Sequence, residues 1–311
     1  MRIVITGAGG FIGRRLVGLL ADHEIVALDN ASGAIPDLPN VDPVIGDICD
    51  TRLLYKAFAG GCDAVVHLAT VPGGAAEEDP EHARRVNVDS TMELAKVAAQ
   101  SGARTRFVFA SSIAAFGSPL PDRVDDSTPL LPRMVYGTHK AMMEQWFAAL
   151  TRRGDLDAIS LRLSGVVARP KGSSGMKSAF LSDLFHALRA SDPFVMPVSE
   201  NAICWLTSIE CAADNFAHAL VADLMRAPEN RAITLPALQV RVSDLSAEIV
   251  EQTGSSQLLV SYAPDPPLEA NFGRYPPLQT LAADALGFTS DGDLPTLVER
   301  ALMRSTAPIR R

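Results

Sequence analysis

In the stretch RMVYGTHKAMMEQW, residues 133 to 146, Tyr136 and Lys140 stand four positions apart at the start of a helical pattern. Residues at i and i+4 share a helical face, so an ammonium there can lie beside a phenol. A free phenol has a pKa of about 10 and is a poor base at neutral pH, but a nearby cation favours the phenolate. Bringing it to about 7 takes about 3 pKa units, or about 4 kcal/mol of differential interaction. A phenolate made this way takes the proton of a substrate hydroxyl while hydride leaves the same carbon. With 4 tyrosines in 311 residues the spacing also arises by chance, so the pair needs elements around it that position it.

Those elements are legible. The runs RIVIT (2–6), EIVAL (24–28), VDPVIG (41–46), DAVVHLA (63–69) and RFVFAS (106–111) are apolar, rich in β-branched residues and bounded by turn residues. Such runs predict strands buried on both faces, and hence a parallel sheet. Segments 11–21, 50–59, 79–100 and 134–153 between and after them show helical spacing, and DLDAISLRLSG (155–165) adds a sixth strand. The alternation predicts an α/β fold, a Rossmann-type doubly wound parallel sheet with right-handed crossovers. After residue 165 Pro and Gly become frequent, as in ARPKGSSG and YAPDPPLEANFGRYPP. The predicted division is therefore a dinucleotide-binding domain with the catalytic residues over 1–165 and a smaller mixed substrate lobe over 166–311. Within that lobe, 201–225 reads as a strand and a helix that return to the main sheet.

The first strand runs into TGAGGFIGRRLVGLL, with Gly7, Gly10 and Gly13 at the head of an amphipathic helix. Gly7 permits a tight turn, Gly10 lets the backbone approach a pyrophosphate, and Gly13 lets the helix pack close to the strand. The helix N-terminus favours the phosphates. The second strand ends in Asp29 and Asn30. A carboxylate at that point accepts hydrogen bonds from the adenosine ribose and repels a 2′-phosphate, so NAD is expected rather than NADP. Asp47 and Ile48 end the third strand, where an adenine would lie, although Asp47 reads equally well as a helix N-cap. Leu68, Ala69 and Thr70 leave room for the cofactor at the end of the fourth strand. His67 reads as a satisfied strand residue. Asn87, in a helix where Asn is a poor former, suggests a buried hydrogen-bonding role. Ser111 and Ser112 end the fifth strand, and because successive strand residues face opposite ways only one hydroxyl is expected to point at Tyr136.

The net charge of −8 excludes a basic nucleic-acid-binding face. No apolar run reaches the ~18 residues of a membrane helix, and the N-terminal segment makes a poor signal peptide. Cys49, Cys62, Cys204 and Cys211 have no metal-ligand spacing, so reduced thiols and a cytoplasmic location are expected.

Taken in order, TGAGGFIG, LDN, GDICD, HLAT, the helical Asn87, SSIAAFG and YGTHK resemble the extended short-chain dehydrogenase/reductase superfamily. The resemblance covers residues 1 to about 170. It implies NAD contacts from Gly7, Gly10, Phe11, Ile12, Gly13, Asp29, Asn30, Asp47, Ile48, Leu68, Ala69, Thr70, Asn87, Tyr136, Lys140, Leu163 and Val166, with Ser164 beside them. It also places the catalytic hydroxyl on Ser112 and gives Lys140 two tasks, one on the phenol and one on the nicotinamide ribose. Members acting on nucleotide-linked sugars carry a tyrosine where this chain has Phe116, and a basic residue in the segment that here reads AICWLTSIECAA. Instead, SSIAAFGSPLPDRVDDSTPLLPRMVYGTHKAMME, LRLSGVVARP and VMPVSENAICWLTS resemble the D-erythronate dehydrogenase family. That implies oxidation of the 2-hydroxyl of a four-carbon sugar acid, D-erythronate to 2-oxo-D-erythronate, with Tyr136 as general base. KGSSGMKSAF departs from that family's lysine–serine loop.

A sugar acid needs a cation for its carboxylate, and Arg133, Arg169, Lys171 and Lys177 are the candidates. Thr70, Ser112, Ile113, Tyr136 and Lys177 are expected to meet the substrate, with Pro72, Gly73 and Gly74 as a mobile-looking loop that closes over it. A nucleotide-sugar epimerase or dehydratase that retains its NAD is the alternative enzyme, and a dinucleotide-binding sensor the alternative outside catalysis. The resemblance further implies a homodimer through helices 79–100 and 134–153, where Met92, Leu94, Met142, Met143, Trp146 and Phe147 are the apolar positions.

Overall fold

A computed structural model describes residues 1–31, 34–102, 104–171 and 178–304; Lys177 lies outside the described residues. Seven parallel strands form its main sheet. Six are β1 (Arg2–Thr6), β2 (Glu24–Asp29), β3 (Val41–Ile45), β4 (Ala64–His67), β5 (Arg106–Ser112) and β6 (Asp157–Leu163). The short strands β7 (Gly165–Val166), β8 (Phe194–Met196) and β9 (Ile203–Thr207) follow, and β10 (Ala232–Thr234) then supplies the seventh. The order is β10-β6-β5-β4-β1-β2-β3. The chain builds outward from β1 on one side and then crosses to β4 on the other. The crevice this leaves lies beyond the carboxyl ends of β1 and β4, the usual place for a ligand in such a sheet.

Alternation along the strands sets the layers. Ile3 and Ile5 face one core with Leu16 and Val17 of α1 (Phe11–Leu19), while Val4 faces the other with Leu54 of α2 (Thr51–Ala57). On this second side the chain forms α3 (Gly73–Glu78), α4 (Pro80–Arg84), α5 (Ser90–Ser101) and α6 (Val135–Arg153). Then come α7 (Phe180–Ala190), α8 (Ile209–Val221), β11 (Leu238–Arg241), α9 (Val242–Thr253) and β12 (Val260–Tyr262). A third core, with Phe185, Leu206 and Ile249, joins α7, β9 and α9.

Several expectations are corrected. The strand at 41–46 is not buried on both faces: β3 is the sheet edge, with Asp42, Pro43 and Ile45 exposed, and Pro43 is tolerated there because an edge strand has no second neighbour. Segment 79–100 is not one regular helix, since a wide turn over Arg85–Asp89 interrupts it. Pro72–Gly74 is not an open loop but the start of α3, with Gly74 buried. The strand within 201–225 does not join the main sheet; β9 pairs with β7 and β11 in a separate three-stranded sheet. Its helix, α8, does pack on the main sheet through Phe216, Ala219 and Leu220.

The catalytic-looking helix α6 is held at its first turn by two devices. Its N-cap, Met134, has no capping side chain, and the Glu77 carboxylate of α3 accepts from Val135 N–H at 2.6 Å instead. A carboxylate there meets both the free N–H and the helix dipole. Gly137, one residue past Tyr136, lies against the turn that follows β5: a Cβ at 137 would land on the Ala114 carbonyl, well inside van der Waals contact. Gly137→Ala is expected to lower stability by about 1–3 kcal/mol through overpacking, read as a lower denaturant midpoint with an unchanged slope.

Candidate active site

The glycine turn is shaped for a dinucleotide. Gly7 adopts φ +68°, and Gly13 brings α1 so close that a Cβ there would strike the Gly7 carbonyl. Gly10 is exposed and caps α1 with no side chain, its own N–H donating to Gly7 C=O at 3.0 Å. The Asp29 carboxylate accepts from Gly9 N–H and Ala31 N–H, each at 2.9 Å, which locks it beside the turn. Gly9 is a site residue that the motif reading passed over: a Cβ there would lie 3.1 Å from the Asp29 carboxyl carbon. Asn30 is exposed just beyond.

Asp47 is exposed and accepts from Cys49 N–H at 2.9 Å, whereas Asp50 is the N-cap of α2, accepting from Arg52 N–H. The capping alternative for Asp47 is thereby corrected. Ile48 turns its side chain into the core. Phe11, Ile12, Leu163 and Val166 come together in one apolar patch with Ile209 and Ala212, although they are far apart in sequence. Ser164 is buried beside it.

The end of β4 is held from both sides. His67 lies between Thr6 Oγ1 at 2.6 Å and Thr91 Oγ1 at 2.8 Å, and burial pushes its pKa down to about 3, so it stays neutral. Leu68 and Ala69 press against Gly7. The wide turn presents Asn87 inward, where its amide accepts from Val71 N–H at 2.7 Å and Thr70 Oγ1–H at 3.0 Å and donates to Val71 C=O at 3.0 Å. Asn87 thus acts on Thr70 and Val71, and through them shapes the crevice.

Ser112, Tyr136 and Lys140 converge at the carboxyl end of β5. Ser112 ends the strand half-buried, its hydroxyl accepting from Ala114 N–H at 3.1 Å and acting on the Tyr136 phenol, while Ser111 is buried and turned to Glu144. Lys140 Nζ donates to Ala110 C=O at 2.7 Å and lies 5.3 Å from the Tyr136 ring centroid and 4.7 Å from that of Phe109. Burial raises the phenol above its ordinary value, against Arg169 and Ser112, which lower it. Lys140 is pulled down to about 7 by burial, with Glu144 opposing. A dry site favours the neutral form of both groups.

Among the carboxylate candidates, Arg133 and Lys171 are exposed, whereas Arg169 is half-buried with its charge acting on Tyr136. Its Nε donates to Val166 C=O at 3.1 Å, and His186 Nε2 bonds its backbone oxygen. Ile113 opens the turn after Ser112, half-buried. No motif singled out the Glu144–Arg162 pair beneath this site, with Nη2 2.7 Å from Oε2, because its members are 18 residues apart on a helix and a strand.

The sheet, the glycine turn and the converging serine, tyrosine and lysine define a nucleotide-dependent oxidoreductase of the short-chain type. The chain matches the NAD dependent epimerase/dehydratase family over residues 3–208 and belongs to it; that family binds NAD(P). It is similar over nearly its whole length to D-erythronate dehydrogenase of Haemophilus influenzae, 29% identical with 96% of this chain and 98% of the relative covered. D-erythronate dehydrogenase of Cupriavidus necator is 30% identical, with 97% and 98% covered. Among solved structures, a nucleoside-diphosphate-sugar epimerase from Agrobacterium tumefaciens superposes with TM-score 0.85 at 26% identity, covering 96% of this chain and 92% of that one.

Asp29 yields a test of cofactor choice. Asp29→Ser removes a carboxylate that also braces Gly9, so NADH should bind about tenfold more weakly, about 1.4 kcal/mol, with NADPH less affected. Fluorescence titration with the two reduced cofactors reads the ratio, and an unchanged ratio would deny Asp29 its role.

Proposed function

We propose that this protein oxidises the 2-hydroxyl of a small sugar acid with NAD, most specifically D-erythronate to 2-oxo-D-erythronate, and releases NADH. The observation that carries the reading is the meeting of the Tyr136 phenol with Ser112, Lys140 and the half-buried cation Arg169 at one end of β5. Tyr136 takes the hydroxyl proton, and Ser112 holds the same substrate oxygen. Lys140 favours the phenolate and holds the nicotinamide ribose. Arg169 takes the carboxylate next to the reacting carbon, and its charge also favours the phenolate. NAD, when bound, supplies the hydride acceptor. Thr70, Ile113 and the apolar patch of Phe11, Ile12, Leu163 and Val166 border the crevice.

The epimerase alternative fits the chemistry of the crevice less well. In the segment where nucleotide-sugar enzymes carry a basic residue, Trp205 is instead buried in a core cluster with Phe116 and Val124 and stacks on Tyr275 at 4.8 Å, so it offers a diphosphate no cationic partner.

Following NADH absorbance with NAD and a panel of C4 to C6 aldonates, uronates and UDP-sugars decides between them. NADH formed with D-erythronate is the expected result, and interconversion of a UDP-sugar at constant absorbance would reject the proposal. Tyr136→Phe should lower kcat by about 10²- to 10⁴-fold, the usual worth of a general base. Arg169→Met should raise KM for the acid about 30-fold or more, since truncating one partner of a buried charge pair costs about 2–5 kcal/mol.

We also propose a homodimer through α5 and α6. Leu94, Met143 and Phe147 are in the subunit core, which leaves Met92, Met142 and Trp146 exposed for a second copy. Light scattering should give twice the chain mass, and Met142→Glu with Trp146→Glu should halve it.

A further inference from the structure

The last three residues of β5 each engage α6. Ser112 meets Tyr136, the Ala110 carbonyl meets Lys140, and the Ser111 hydroxyl donates to Glu144 Oε1 at 2.5 Å. Tyr136, Lys140 and Glu144 are spaced i, i+4, i+8, so they form one stripe along the helix. Glu144 is 0% exposed, and Arg162 of β6 grips it with Nε at 2.9 and 3.2 Å and Nη2 at 2.7 Å. The Arg162 guanidinium is itself 5.0 Å from the Phe116 ring centroid.

An ion pair sealed from water seldom repays its desolvation, and apolar side chains of the same volume often stabilise as well or better. Stability therefore gives no reason for a carboxylate at this depth. Its place does. Around Lys140 stand His67 from β4, held neutral, and Tyr136 and His139 from α6, while Arg162 from β6 stands on Glu144 and Arg169 after β7 acts on Tyr136. Glu144 is the carboxylate acting on Lys140 against burial, which pulls the ammonium down to about 7.

We propose that the Glu144–Arg162 pair is a positioning device for catalysis, holding a carboxylate one helical turn behind Lys140 so that the ammonium keeps more of its charge than burial alone would leave it and stays seated at the end of β5. The proposal rests on the reading of Lys140 given above. Arg162 and Ser111 hold the carboxylate in place by hydrogen bonds and so fix its position behind the ammonium.

Glu144→Met with Arg162→Met removes the pair without stranding either charge, and Glu144→Gln, which removes the charge and keeps one acceptor oxygen for Ser111 and Arg162, serves if the double variant does not fold. The chain has five lysines, so a ¹³Cε-lysine NMR titration resolves Lys140, assigned by Lys140→Met. In the variant the Lys140 midpoint should fall by at least one pH unit. Losing the carboxylate removes what raises that midpoint, so the alkaline limb of kcat/KM for NADH formation from D-erythronate should move down with it, and kcat/KM at pH 8 should drop about tenfold. A folded variant with an unmoved Lys140 midpoint, or a lowered midpoint with an unmoved limb, overturns the proposal. Lys140→Met with wild-type NADH formation would instead overturn the reading of Lys140, and the proposal with it.

Discussion

The structure depends on a seam between the last turn of a strand and one stripe of a helix. Consecutive residues of β5 are about 3.3 Å apart, whereas residues four apart on α6 are about 6 Å apart. The two spacings do not match, so three like side chains could not form three like rungs. The seam is made of unlike groups. Ser112 and Ser111 use hydroxyls, Ala110 uses its carbonyl, and the partner reaching that carbonyl is a long lysine. Moving α6 by one residue would break all three. Glu77 at the helix N-terminus and Gly137 against Ala114 fix the remaining freedom, and both act within the first turn, where Tyr136 lies.

The seam has an electrostatic cost. Taking Lys140 and Tyr136 out of water pushes each toward its neutral form, so proximity alone does not make a phenolate. Fixed charges must oppose burial, and the fold places one on each side. Glu144 acts on the ammonium and Arg169 on the phenol. The two charges have opposite signs and each favours the ionised form of its own neighbour. A carboxylate placed near the phenol, or a guanidinium near the ammonium, would do the reverse. The arrangement makes basicity a property of the whole crevice and not of the tyrosine–lysine pair alone.

Much of this was legible in the chain because it rests on local rules. Alternating strands and helices are written in apolar periodicity, and the glycine turn sits between a strand and a helix as its chemistry demands. The failures are equally physical. The edge position of β3 depends on sheet order, which VDPVIG does not encode. Asp47 and Asp50 are both plausible caps, and only the path of the chain into α2 selects Asp50. Asn87 was visible as a misfit in a helix, but the wide turn that aims it at Thr70 and Val71 has no signature beyond the misfit itself. Glu77, Arg162 and Glu144 act across elements, and such pairings have no spacing to read.

Fold likeness does not choose the substrate, since similar frames serve different chemistries. A nucleoside-diphosphate-sugar epimerase and a threonine dehydrogenase of Cupriavidus necator superpose on this chain with TM-scores of 0.85 and 0.87, at 26% and 22% identity. A nucleotide-linked sugar brings two phosphates that must leave water for cationic partners, and the buried core cluster of Trp205, Phe116 and Val124 supplies none. A small acid brings one carboxylate beside the carbon that reacts. Arg169 acts electrostatically on the phenol proposed to take the hydroxyl proton, so in that proposal a single guanidinium orients the substrate and favours the base together. On the proposed reading, a ligand whose anion lay far from its reacting carbon would gain only one of these effects.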